Sequence, residues 1–154
     1  KVGPFAQGST TQAGAGVQTP VTNAYDEVQR SLVGALKTTP QTTAPGEVIG
    51  GGALTPSSMR ANGTYAFRAQ FYATTGTAEV TLFDLTNNTT IATLTTTATS
   101  PTTQSVALTL GTPGTNIISN SLAKYEVRAR FSAGSPGLLD QVVVESAEFV
   151  ITYP

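Results

Sequence analysis

Residues 59–72 read MRANGTYAFRAQFY, and residues 124–132 read KYEVRARFS. In both, large aromatic or aliphatic residues alternate with polar ones, and an Arg-Ala pair sits mid-way. Strict alternation is the period of a strand with one buried face. It assigns Tyr65, Phe67, Ala69 and Phe71, and Tyr125, Val127, Ala129 and Phe131, to an interior, and it turns Arg68, Arg128 and Arg130 outward. Two long strands facing one core meet the same constraint, so their likeness needs no duplication. The small Ala between large rings lets facing layers interdigitate.

The same pattern extends outward from these two stretches. EVIGGGAL (47–54) precedes a Thr-Pro turn, and AEVTLFDL (78–85) sends Val80 and Leu82 inward. LTNN is a turn, TIATLTTTAT a polar strand, and QSVALTL (104–110) directs Val106, Leu108 and Leu110 inward. QVVVESAEFVITY closes the chain with two alternating runs whose phase changes near Ser146, the mark of a bulge. Seven or eight short strands separated by Gly, Pro, Asn and Ser predict an all-β fold, an antiparallel β-sandwich of jelly-roll type over 45–154.

Residues 1–44 are expected to lie outside that sandwich as an N-terminal arm. Residues 1–22 hold four Gly and two Pro without periodicity, too few large apolar groups to offset the entropy of ordering. Val2, Phe5, Val17 and Val21 would anchor this arm on a partner chain. Asn23 as N-cap, Asp26 and Glu27 in a first turn and Lys37 in a last turn fit a short helix over 24–37. Val28, Leu32 and Leu36 also keep strand parity, and Gly34 weakens a helix, so an edge strand fits the same residues.

Composition narrows function by exclusion. The chain of 154 residues has 8 basic and 9 acidic side chains and a net charge of -1, which offers no field for a phosphate backbone or anionic lipid. Neither nucleic acid nor a membrane is expected as a partner. Cys, His and Trp are absent, which removes Ser-His and Cys-His nucleophile systems and imidazole or thiolate zinc sites. Threonine accounts for 28 residues, and a neutral, Thr-rich exterior suits an exposed, durable protein. The start at Lys1 leaves open whether residues precede it in a precursor.

The stretches EVIGGGALTPSSMRANGTYAFRAQF, AEVTLFDLTNNTTIATLT, YEVRARF and LLDQVVVESAEFVI together resemble the jelly-roll modules of tailed-phage virion proteins. Such modules occur in head decoration proteins, fibres and tail appendages. The resemblance spans about residues 45–153 and carries no fixed functional residues. Leu139, Asp140, Val142 and Val144 are also similar to the last strand of jelly-roll carbohydrate-binding modules. The virion resemblance implies a non-enzymatic capsid decoration or appendage protein on the virion surface, self-associating as a trimer and attached to a capsid or appendage protein. The alternative is a glycan-binding adhesin on a fibre or cell surface.

Candidate site residues follow from parity. Tyr72 and Phe83 lie off the inward face and could form a sugar-stacking platform, with Arg68 or Gln70 as donors. Arg68, Arg128 and Arg130, with Glu126 and Glu79, fit cross-strand ion pairs on one sheet face or subunit contacts. Asp140, Glu145 and Glu148, with Asp84 or Glu79, lack the loop pattern of a calcium site and fit solvated outer-face charges better, so neither a metal nor a cofactor is expected. Asn62-Gly63-Thr64 and Asn87-Asn88-Thr89-Thr90 match the glycosylation pattern but suit turns, where Asn accepts positive φ.

Overall fold

The computed structural model describes residues 26–154. Ten strands follow in order: β1 (Glu27–Val33), β2 (Lys37–Thr39), β3 (Glu47–Leu54), β4 (Thr64–Ala73), β5 (Thr77–Asp84), β6 (Thr89–Thr96), β7 (Thr102–Leu110), β8 (Ile117–Ile118), β9 (Ala123–Ala133) and β10 (Val142–Thr152). One 3-10 turn, Pro56–Ser58, follows β3. A four-stranded sheet has the order β3-β9-β5-β6, and a six-stranded sheet the order β1-β10-β4-β7-β8, with β2 beside β1 on the outer edge of β10. All pairings are antiparallel except the short β7–β8 ladder. The described residues form a β-sandwich.

The two opening stretches become β4 and β9, one in each sheet, and their aromatic faces meet in the middle. Phe67, Ala69, Phe71, Val127 and Ala129 are fully buried, and the Tyr125 ring packs edge-on against Phe149 with centroids 5.0 Å apart at 76°. The phase change in β10 is a bulge: Val144 faces Phe71 and Ser146 faces Gln70, so Glu145 is the extra residue. Val142 and Val144 before it, and Ala147, Phe149 and Ile151 after it, therefore all point inward. Asn62, Asn88 and Asn116 have positive φ, which places the two glycosylation-like motifs in turns.

Three expectations need correction. The described part of the expected helix, residues 26–37, is not helical: Glu27–Val33 is a strand paired along Ala147–Thr152, with Val28 opposite Ile151. The outer edge of β10 offers a row of free backbone groups, and pairing there outweighs the weak local helix signals. A register shift at Leu32 turns both Leu32 and Val33 inward, while Leu36, which the helix would have buried, is exposed. The sandwich therefore starts with β1 and not at residue 45. Thirdly, of the expected inward trio on β7, Leu108 is buried and Val106 is half-buried against the core, but Leu110 is exposed, because β7 borders the sheet for most of its length. Val2, Phe5, Val17 and Val21 lie outside the described residues.

β3 carries three consecutive glycines at the place where the two sheets close on each other. A Cβ on Gly50 would stand 2.2 Å from the Leu32 carbonyl oxygen of β1, and one on Gly51 would stand 2.5 Å from the Tyr125 carbonyl oxygen. Only a residue without a side chain lets β1 and β3 approach this closely.

Candidate functional site

The outward arginines divide between the two faces of the sandwich. On the four-stranded sheet, Arg130 and Glu79 are direct cross-strand neighbours, and the guanidinium grips the carboxylate with two bonds of 3.0 and 3.2 Å. Two residues along β9, Arg128 bonds Glu126 and lays its guanidinium over Phe83, 4.0 Å from the ring centroid. A shallow hollow of about 170 Å³ lies between them, edged by Thr81, Thr90 and Thr93. On the six-stranded sheet, Arg68 bonds Glu148 across the ladder at 2.7 Å, and Gln70, Thr103 and Ser146 complete a hollow of about 220 Å³.

Arg68, Tyr72, Phe83, Arg128 and Arg130 therefore do not make one site. Tyr72 stands on β4 beside Val143, and Phe83 stands on β5, so their outward faces belong to different sheets with the core between them. The stacking platform is overturned, and Phe83 has its face covered by Arg128. Of the expected cross-strand ion pairs, Arg130–Glu79 forms; Arg128 pairs with Glu126 within β9, and Arg68 pairs across the ladder of the other face with Glu148. Alternation reports which side of its own strand a residue takes, and it is silent about which sheet the strand joins.

These pairs are half-buried, and their worth is modest. A double-mutant cycle on Arg130→Ala and Glu79→Ala should give a coupling of about 1 kcal/mol or less, shrinking with added salt. A coupling well above that, unchanged by salt, would show a network more dehydrated than the geometry implies.

The carboxylates considered for a cation are dispersed. Asp140 closes a turn, Glu148 and Glu79 serve arginines, and Asp84 is fully buried, accepting from the Asn87 backbone N–H and side-chain amide at 2.8 Å each. No cluster of three potential metal-ligating His, Cys, Asp or Glu residues occurs among the described residues.

Opposite Asp84 on β9, the buried Tyr125 hydroxyl has no hydrogen-bond partner. Burial foremost, and the Asp84 charge second, push its pKa well above the ordinary tyrosine value; the Ser119 backbone, near but outside hydrogen-bonding geometry, opposes the shift. A folded-state pKa above the unfolded value means that this group's contribution is fully present below pH about 10 and is lost as pH rises further. Tyr125→Phe should leave neutral-pH stability unchanged or raise it by about 1 kcal/mol, since it removes an unsatisfied buried hydroxyl. It should also flatten the alkaline loss of stability, read from denaturant midpoints across that range. A variant several kcal/mol less stable would mean that the hydroxyl has a partner after all.

The two ends of the sandwich carry features that parity did not reveal. At one end, among loops 55–63, 85–88 and 111–122, a hollow of about 230 Å³ is lined by Pro56, Met59, Arg60, Tyr65 and Leu110, and Arg60 stacks 4.3 Å above the Tyr153 ring. At the other, among loops 40–46, 74–76, 97–101 and 134–141, Leu138 and Leu139 protrude with 101% and 93% exposure. The signal in the sequence was the turn-forming Pro136-Gly137 directly before two large apolar residues.

No protein-family model matches the chain, and no curated protein matches it. No helix among the described residues is long and apolar enough to cross a membrane.

Proposed function

We propose that the chain is a non-enzymatic structural protein of a virion surface, a capsid decoration or stabilising protein or a related appendage module, which works by non-covalent attachment and self-association. The observation that carries this is the nesting of its strand pairs. β5 pairs with β6, β4 with β7, β3 with β9 and β1 with β10, so successive pairs enclose one another along the chain. With β2 counted alongside β1 and the two-residue β8 set aside, this is the wrapped eight-strand order of a jelly roll, joined by the β10–β4 and β9–β5 ladders. The order agrees with the virion resemblance of residues 45–153, and fold likeness raises that reading without proving it.

Two further observations support it. Arg68, Arg128 and Arg130 are already committed to carboxylates, which lowers the charge penalty for packing these faces beside neighbours. Large apolar side chains are instead concentrated at the ends. Val2, Phe5, Val17 and Val21 would add the attachment to a capsid or appendage protein. Immunogold labelling of purified native particles with antibody against the sandwich is the test: regular labelling is expected, and unlabelled particles would sink the proposal. The adhesin alternative has lost its stacking platform; a glycan array in which binding is abolished by Tyr72→Ala would reinstate it.

A further inference from the structure

We infer that the Leu138–Leu139 turn at one end of the sandwich seats in the Pro56–Met59–Tyr65–Leu110 hollow at the opposite end of a second copy of this chain, giving a head-to-tail contact.

The turn is built to present its leucines. Asp140 N–H donates to the Gly137 carbonyl at 3.1 Å, which places Leu138 and Leu139 at the two central positions. The Asp140 carboxylate accepts from Gly137 N–H at 2.7 Å and from the Thr74 hydroxyl at 2.9 Å. The Thr74 N–H donates to the Gln141 carbonyl, and the Gln141 N–H donates to the Thr74 hydroxyl. A loop tied down at so many points cannot fold its leucines back onto the core. Two large apolar groups held fully in water serve the isolated molecule nothing and mark a contact surface.

The receiving end complements the turn in shape and in charge. The hollow is concave, its apolar wall of Pro56, Met59, Tyr65 and Leu110 rimmed by Ser57, Asn62 and Asn120, and exposed Leu85 and Leu122 stand at the same end. In the loops joining strands, Asp140 is the single charged residue at the leucine end and Arg60 the single charged residue at the hollow end, where Asp26 ahead of β1 and Lys124 at the start of β9 add one charge of each sign. Asp140 and Arg60 each stand directly beside their apolar feature, so seating the leucines brings an anion and a cation together. A lipid surface fits less well, because the loops of the leucine end carry no cation for headgroups and their one charge, Asp140, is repelled by anionic lipid. A contact between different patches is heterologous, and it generates a ring or a filament rather than a closed dimer. It deepens the self-association of the proposed structural role and rests on that reading only for its biological purpose.

The native chain has no cysteine, so an engineered disulfide trap reads the contact directly. Ser135→Cys beside the turn in one population and Ser57→Cys in the hollow of a second, mass-tagged population leave both features intact. Mixed at high concentration and oxidised, they should yield heterodimer in excess of the statistical mixture. The excess should vanish when the first population also carries Leu138→Ser and Leu139→Ser, and fall when the second carries Arg60→Glu. A statistical mixture, or an excess indifferent to the leucines, would overturn the inference. So would anionic phospholipid vesicles that capture the native protein and release the leucine variant. Because the trap uses purified protein, its failure removes this contact and leaves the particle-labelling result to judge the virion role separately.

Discussion

Replacing Phe149 with Ala should lower the free energy of unfolding by about 3–5 kcal/mol, among the largest losses expected of a single substitution in the sandwich. The ring is fully buried, sits after the β10 bulge, and meets Tyr125 of the other sheet edge-on at 5.0 Å. Two effects add. The ring's apolar surface no longer leaves water on folding, and a cavity opens between sheets whose rigid backbones cannot collapse into it. The lost edge-to-face pair contributes only about 1 kcal/mol of this, so the cavity dominates. Domains of this kind have about 5–15 kcal/mol in total, which puts the variant near the margin of folding. Urea titration of both proteins measures the difference, and a loss under about 1 kcal/mol would mean that Phe149 is not in the core.

The second large effect is expected from adding a single methyl. Gly50→Ala puts a Cβ 2.2 Å from the Leu32 carbonyl oxygen and 2.7 Å from a Val33 methyl, both in β1. The oxygen belongs to the backbone, so relief requires β1 to move off β3, which uncovers Leu32 and Val33. The cost should reach about 3 kcal/mol, the upper part of the overpacking range. Gly114→Ala is the control: its nearest neighbour is the Thr112 carbonyl oxygen at 3.9 Å, so its effect should stay within about 0.5 kcal/mol. Hydrogen exchange adds a readout of location, since the amides of β1 should lose protection before those of β4. Equal stability of the two alanine variants would show that β1 does not lie over the glycines.

The antiparallel sandwich was legible because alternation is a local property. TYAFRAQFYA and AKYEVRARFSA carry their inward and outward sides in neighbouring residues, and the bulge at Ser146 shows as a break in that rhythm. The region 24–37 was ambiguous because its partner is more than 100 residues away: nothing in EVQRSLV states that the edge of β10 lies free for it. Likewise the outward turn of Tyr72, Phe83 and the three arginines could be read, but not that they would divide between opposite faces.

By itself, then, the sequence determined strand content, the inward residues of the central strands, the turns at Asn62 and Asn88, and the lack of histidine and thiol chemistry. Each depends on residues within a few positions or on composition alone. Tertiary structure decided the pairing order, the recruitment of β1, the placing of three glycines where two sheets touch, and the gathering of Asp140, Arg60 and the apolar features at the two ends. These are relations between segments tens of residues apart, set when burial of one common core selects among many pairings that satisfy the same local alternation.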